Sequence, residues 1–381
     1  MRLHQQHRNN LKRKLSRALR LVPNGSDPSR MRDAAKPWRV EFIRAMLQRK
    51  PALGLHQNEW LSQLASGESL VSENIRPVLI LCATRADFDV YDYFRMWSSF
   101  PTVDRPGRRM KFLVRDSGQP NQPIMGLCCL SSAVRQLRAR EEWIGWHGAH
   151  HIKLRARNLA YILDLSTCIS LPPYSYLTAG KLLAGMMASD EVREIYRVRY
   201  SRRRSLVCRR VLTDFVLLTT SGGYGRNAAQ YKGLSPHGTS LFRFVGYSRG
   251  YSTFQIPPSL YNDVKKFVLR TRKGVDTTVA GGANAKVRIL RLAARQLGIA
   301  EETLVYSGHR RAIFVAPLAS NWREFLLGKT KSASYLNYSL SLITDHWKEK
   351  WLSRRLENPS VQQKVKIFRP EEFRVADPLQ V

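Results

Sequence analysis

The chain has 381 residues, 43% of them apolar and 10% aromatic, enough to bury one large core or two smaller ones and too many to leave most of it disordered. Its 63 lysines and arginines face 29 aspartates and glutamates, a formal charge of +34 whose natural neutraliser is a polyanion, nucleic acid before an anionic membrane surface. No apolar run approaches the roughly 18 residues that span a bilayer, and the basic start MRLHQQHRNNLKRKLSR lacks the apolar stretch of a secretory signal, so the expected compartment is the cytosol.

Residues 1–22 place Leu11, Leu15, Ala18, Leu19 and Val22 at helical spacing among Lys12, Arg13, Lys14, Arg17 and Arg20, a basic helix ended by the breaker PNGSDPS. A second amphipathic helix follows over 38–47. The uninterrupted PVLILCAT (77–84) predicts a buried strand and 85–98 a helix. Residues 110–114 and 124–130 read as a hairpin across RDSGQPNQP, and 161–171 as a third strand that Pro172 and Pro173 must end. Ser175 then stands as N-cap of a helix over 176–188. RSLVCRRVLTDFVLLTT is strand-like, SGGYGRNAAQYKGL is a glycine-rich turn, and 241–248 is expected to pair with 251–256 across Arg249-Gly250. Basic helices over 258–270 and 286–297, a strand over 311–318, a short helix ended by Gly328 and a longer one over 339–357 complete the pattern, with a tail lying over the surface. The fold class is α/β (α+β): a mixed, largely antiparallel sheet flanked by helices. The expected division is a basic helical region 1–70, an α/β core 71–275, an extension 276–360 and a tail 361–381.

Three places carry candidate chemistry. In the turn Gly222-Gly223-Tyr224-Gly225-Arg226-Asn227, glycines allow close approach to a ligand, Tyr224 or Tyr231 offers a general acid, and Asn227 can hold an amide or phosphate oxygen. Trp143, Trp146, His147, His150 and His151 offer stacking surfaces for unpaired bases, with Trp143 read as a core residue first; with no Asp or Glu at ligand spacing, no metal is expected there. The basic runs are the loudest signal: Arg135 and Arg138; Lys153, Arg155 and Arg157; Arg202, Arg203, Arg204 and Arg209; Lys265, Lys266 and Arg270; Arg310 and Arg311. Each unneutralised cation gains from a phosphate through counterion release. Five cysteines, an odd number without a C-x-x-C pair, predict reduced thiols. P-loop, H-E-x-x-H and G-x-S-x-G patterns are missing, and Asp116, Asp164 and Asp214 are not read as a nuclease triad.

WIGW (143–146) and the strand after it, YGRNAAQYKG, VAPLASNWREFL (315–326), GRRMKFLVRD and IMGLCCLSS together resemble the DruA-like family, a component of the Druantia anti-phage defence systems of bacteria. That resemblance runs from about residue 75 to 351 and implies a role in defence against phage beside a helicase-like partner and other defence subunits. The order of elements is also similar to that of GNAT-type acyltransferases, with the Mom-like enzymes that modify DNA bases closest in kind. A GNAT-like core would present the turn at Ser175, Gly180 and Lys181 to the pyrophosphate of an acyl-CoA, and a tyrosine near Tyr224 would protonate the leaving thiolate. The function expected first is nucleic-acid binding, of DNA before RNA, within such a defence system; its rivals are a GNAT-like or Mom-like group transfer to a nucleobase or protein, and a structural adaptor whose charge meets an acidic subunit.

Overall fold

Seven strands form one open sheet in the order β1-β2-β3-β4-β5-β7-β6, five neighbouring pairs antiparallel and one, β4 with β5, parallel. The computed structural model describes residues 2–20, 28–98, 100, 107–148, 151–205, 209–251, 253, 256–271 and 283–375. In chain order the elements are α1 (Arg2–Arg20), α2 (Pro28–Arg49), β1 (Pro77–Leu81), α3 (Arg85–Arg95), β2 (Arg109–Asp116), β3 (Ile124–Ser132), α4 (Arg138–Ile144), α5 (Ile152–Asn158) and β4 (Ile162–Ser170). There follow α6 (Ala179–Met186), α7 (Asp190–Tyr200), β5 (Leu217–Gly222), β6 (Arg243–Tyr247), α8 (Pro258–Thr271), α9 (Ala283–Leu297), α10 (Glu301–Val305), β7 (Ala312–Pro317), α11 (Trp322–Leu326), α12 (Leu340–Trp347) and α13 (Pro359–Ile367), with shorter turns between. The mixed, largely antiparallel sheet with helices around it is the expected class.

The β2–β3 hairpin forms where the turn chemistry puts it. Asp116, fully buried, closes it by accepting from the Arg76 and Gly118 backbone N–H groups at 2.7 and 3.0 Å and from the Tyr174 hydroxyl at 2.9 Å. Helix α6, buried along its whole length, covers one face and joins the largest apolar cluster with Phe112, Cys128 and Leu165. Gly126 of β3 is what lets it lie so close, since a Cβ there would fall 2.4 Å from Leu183 and 2.3 Å from a β4 carbonyl. Helix α3 covers the other face, its start fixed by a capping box between Thr84 and Asp87.

Several local expectations give way to tertiary packing. β1 is an edge strand of half-buried residues rather than a buried one. β6 pairs with β7, not with the segment at 251–256; Tyr251 bridges Tyr306 instead, and residues 252, 254 and 255 lie outside the described residues. Between β6 and β7 the chain inserts α8, α9 and α10, which pack with α1 in an apolar cluster of their own. The helix expected over 339–357 is interrupted by a wide π turn at Lys348–Leu352. The tail is not featureless: Phe368 is 1% exposed in the cluster beneath α3, and the Phe373 ring lies 4.6 Å from Trp97. No described helix is long and apolar enough to cross a membrane.

Candidate functional site

The parallel partners β4 and β5 hold together only from Ile162↔Leu217 to Asp164↔Thr219. Beyond that β4 stays with β3 as far as Ser170↔Gly126, while β5 follows β7 to Gly222↔Ala312. The strands part, and a cleft of about 580 Å³ opens between them. β4 supplies Ser166, Thr167 and Ser170; β5 supplies Thr220 and Ser221; Trp97, Phe100 and Tyr224 add aromatic wall. Five cations line it, Arg95, Arg109, Lys181, Arg311 and Arg355, against one carboxylate, Asp164, which accepts from the Thr219 hydroxyl at 3.1 Å.

Ser175, Gly180, Lys181, Tyr224 and Tyr231 all reach this cleft, so the fold gathers the residues singled out in two separate stretches. Asn227 lies in the turn Gly225–Asn227 beside it, and its side chain is outside the described residues. Their local roles differ from expectation. Ser175 is not a helix cap: after Pro172 and Pro173 the chain makes turns through 174–178, and α6 starts only at Ala179. The residue before it, Thr178, takes φ +60, and its buried hydroxyl oxygen has no hydrogen-bond partner among the described residues. Lys181 braces the glycine-rich turn: Nζ donates to the carbonyls of Ala229 and Lys232 and lies 4.9 Å from the Trp351 ring, which the π turn carries. Burial, then the charges of Lys350, Arg355 and Lys232, lower this amine to about 8. Tyr231 is 5% exposed, packed against Phe242 and Phe314, and its oxygen accepts from the Thr220 hydroxyl at 3.1 Å. Burial, then the nearby Cys168, push its phenol well above the ordinary value, which suits it to support rather than to proton transfer. Tyr224 stands against Phe100, ring centroids 5.3 Å apart.

The basic runs fall into five settings. Lys153 and Arg157 are exposed on α5; Arg202, Arg203, Arg204 and Arg209 are exposed on the loop after α7. The two join where Arg210 donates to the Arg157 carbonyl at 3.1 Å and lies over the Tyr161 ring. Among the described residues no carboxylate pairs with any of those six cations. Arg209 is also held at φ +56, a left-handed strain that tends to collect at functional loops. By contrast Arg138 pairs with Glu142, and Arg155 with Glu141 at 3.2 Å. Lys265, Lys266 and Arg270 lie on α8 in the helical module, and Arg310 and Arg311 lead into β7, Arg311 at the cleft. Arg135 is exposed in the loop before α4.

Trp143, Trp146, His147 and His151 are not part of the cleft lining. Trp143 is stacked on Trp322 at 4.1 Å and 1°, and the Trp146 indole donates to the Leu326 carbonyl at 3.2 Å, so both serve a local core rather than a base-stacking wall. His151 bonds the His147 carbonyl at 2.5 Å, and His150 lies outside the described residues. No group of three metal-ligating side chains occurs among the described residues. What reasoning from sequence missed are Phe100 and Arg109, lining residues that sit in unrelated stretches. The one signal for Phe100 is Gly223, where a Cβ would fall 2.3 Å from that ring.

Fold and site together define a strongly basic α/β protein with a ligand-sized, cation-lined cleft where the parallel strands β4 and β5 part. Residues 41–328 match the family described as Druantia protein DruA, and the chain belongs to that family, a component of the Druantia anti-phage defence system. It is similar to the Druantia protein DruA of Escherichia coli (strain UMEA 4076-1), 26% identical over 305 residues that cover 77% of this chain and 72% of that protein. No solved structure matches.

Proposed function

We propose that this DruA-family protein is the nucleic-acid-binding component of its defence system, acting on DNA in the cytosol beside a helicase-like subunit. The observation that carries the reading is the set Lys153, Arg157, Arg202, Arg203, Arg204 and Arg209, exposed and unmatched by carboxylates among the described residues, on two segments that meet where Arg210 bonds the Arg157 carbonyl. Elsewhere this chain readily sets acids against its cations, as Arg193 and Arg197 do with Asp214 at 3.4 and 3.2 Å. Cations left open in water at this density favour a partner that releases counterions. The helical module of α1 and α8–α10 adds exposed Lys12, Arg13, Lys266 and Arg270 and forms, in this reading, a second contact unit beside the sheet body. Fluorescence anisotropy with labelled single- and double-stranded oligonucleotides tests it: the intact protein binds, and Arg202→Ala/Arg203→Ala/Arg204→Ala weakens binding at least tenfold. Binding to an acidic protein subunit alone, with none to any oligonucleotide, would instead favour the adaptor role.

A second reading, group transfer of the GNAT-like or Mom-like kind, has its own supporting observation in the parting of β4 and β5. In that reading Tyr224 is the proton donor, and the residues at the start of α6 hold an acyl-CoA pyrophosphate. The fit is with Ser175, Thr178 and Gly180, which line the cleft where α6 begins, the buried Thr178 hydroxyl having no partner among the described residues. Lys181 fits less well, its Nζ being engaged by two carbonyls. Loss of a labelled acyl transfer in Tyr224→Phe, with oligonucleotide binding unchanged, would favour this reading.

A further inference from the structure

We infer that the cleft between β4 and β5 is a binding site for one nucleotide unit, its base against the Phe100–Tyr224 wall and its phosphate among Arg311, Arg109 and Arg355. At about 580 Å³ the cleft lies within the range of pockets that enclose small ligands, too small for a duplex and large enough for one nucleotide. Its wall pairs flat rings with charge: the Arg311 guanidinium lies 5.6 Å from the Phe100 ring centroid, and Tyr224 stands beside that same ring. Gly223 keeps the wall thin, because any larger residue would displace Phe100. Ser166 and Ser170 of β4 and Ser175 in the turn before α6 add polar lining along one side. An anion alone would be served by the cations, and an apolar ligand by the rings; a nucleotide uses both.

The rim also connects to the strip outside. The Arg109 backbone N–H donates to the Tyr200 hydroxyl at 2.9 Å, and that hydroxyl contacts the Arg109 carbonyl at 3.2 Å. Tyr200 ends α7, and Arg202, Arg203 and Arg204 follow it directly. The nucleotide unit therefore has two sources: one unstacked residue of a strand held on the strip, which rests on the nucleic-acid reading, or a free nucleotide, which does not.

Calorimetry on the full chain with ADP, and fluorescence of a single-stranded oligonucleotide carrying one 2-aminopurine, separate these. A cleft filled by a free nucleotide gives saturable ADP binding, weakened about tenfold by Phe100→Ala and at least as much by Arg311→Ala, while the Arg202→Ala/Arg203→Ala/Arg204→Ala variant stays within twofold of wild type. A strand-borne unit shows as a 2-aminopurine signal on binding that Arg311→Ala and Phe100→Ala abolish and as displacement of ADP by the oligonucleotide. Arg311→Ala alone decides if Phe100→Ala does not fold. Neither ligand responding, or both binding equally well to the two cleft variants, overturns the inference. Failure of oligonucleotide binding with ADP binding intact removes the strip and leaves the cleft.

Discussion

Two groups of cations in this protein have the same chemistry and opposite surroundings. Beneath α3, Lys50 reaches Asp89 and Asp92 at 2.9 Å, Lys111 reaches Asp92 at 2.9 Å, and Arg95 lies 3.6 Å from it, with Lys111 and Asp92 side chains only 8% and 9% exposed. On the strip from α5 to the loop after α7, Lys153, Arg157, Arg202, Arg203, Arg204 and Arg209 stand in solvent with no carboxylate beside them among the described residues. The buried group shows how this chain treats charge that serves the fold: each cation is met and oriented. The strip lacks that treatment, and its charge is left for something outside the chain.

Breaking the buried group gives the largest effect. Asp92→Asn removes the carboxylate that Lys50, Lys111 and Arg95 share and should lower stability by about 3 kcal/mol or more, read as a drop in the urea midpoint. The pH dependence sharpens the contrast. Burial works to raise the Asp92 carboxyl, but the charges of Arg95 and Lys111 and hydrogen bonds from Lys50 and Lys111 outweigh it and hold it below the ordinary aspartate value. Its contribution is therefore fully present above the ordinary aspartate range and is lost as pH falls through the lowered folded-state value. The stability gap between wild type and Asp92→Asn should narrow only in strong acid; a gap that already closes near neutrality would contradict the network.

The strip should behave the other way. Arg202→Ala/Arg203→Ala/Arg204→Ala is expected to change stability by no more than about 0.5 kcal/mol, by the same urea titration, while weakening oligonucleotide binding. A large loss of stability would mean that these arginines are structural after all. The smallest effect belongs to Arg138→Ala. Its guanidinium is exposed and paired with Glu142 four residues on, so both the urea midpoint and the affinity for an oligonucleotide should hardly change. A drop in affinity matching that of the strip variants would erase the distinction between matched and unmatched cations.

The sheet's centre was legible because its signals are local. RDSGQPNQP between two apolar runs can hardly be other than a hairpin turn, and paired prolines must end β4, so β2, β3 and β4 fall where composition puts them. Pairing partners far apart in sequence leave no such mark. β6 looks like half of a hairpin with 251–256, yet its ladder forms with β7, across the inserted helices α8–α10. The cleft was half legible: Ser175, Gly180, Lys181, Tyr224 and Tyr231 carry suggestive residue types, whereas Phe100 and Arg109 become part of it only through the sheet's closure. Lys181 shows the limit of reading a residue by type, since its amine braces a turn through two carbonyls. Trp143 reads more readily as core, and it is core, stacked on Trp322; Trp146, open as a stacking surface, is used up with its indole donating to the Leu326 carbonyl.

The most direct test of the central claim is the slope of the logarithm of the nucleic-acid association constant against the logarithm of salt concentration, measured for wild type and for Arg202→Ala/Arg203→Ala/Arg204→Ala. If those three arginines each meet a phosphate, the slope for duplex DNA should flatten by roughly 0.9 per lost contact. An unchanged slope, or no association with any oligonucleotide at modest ionic strength, would contradict the account.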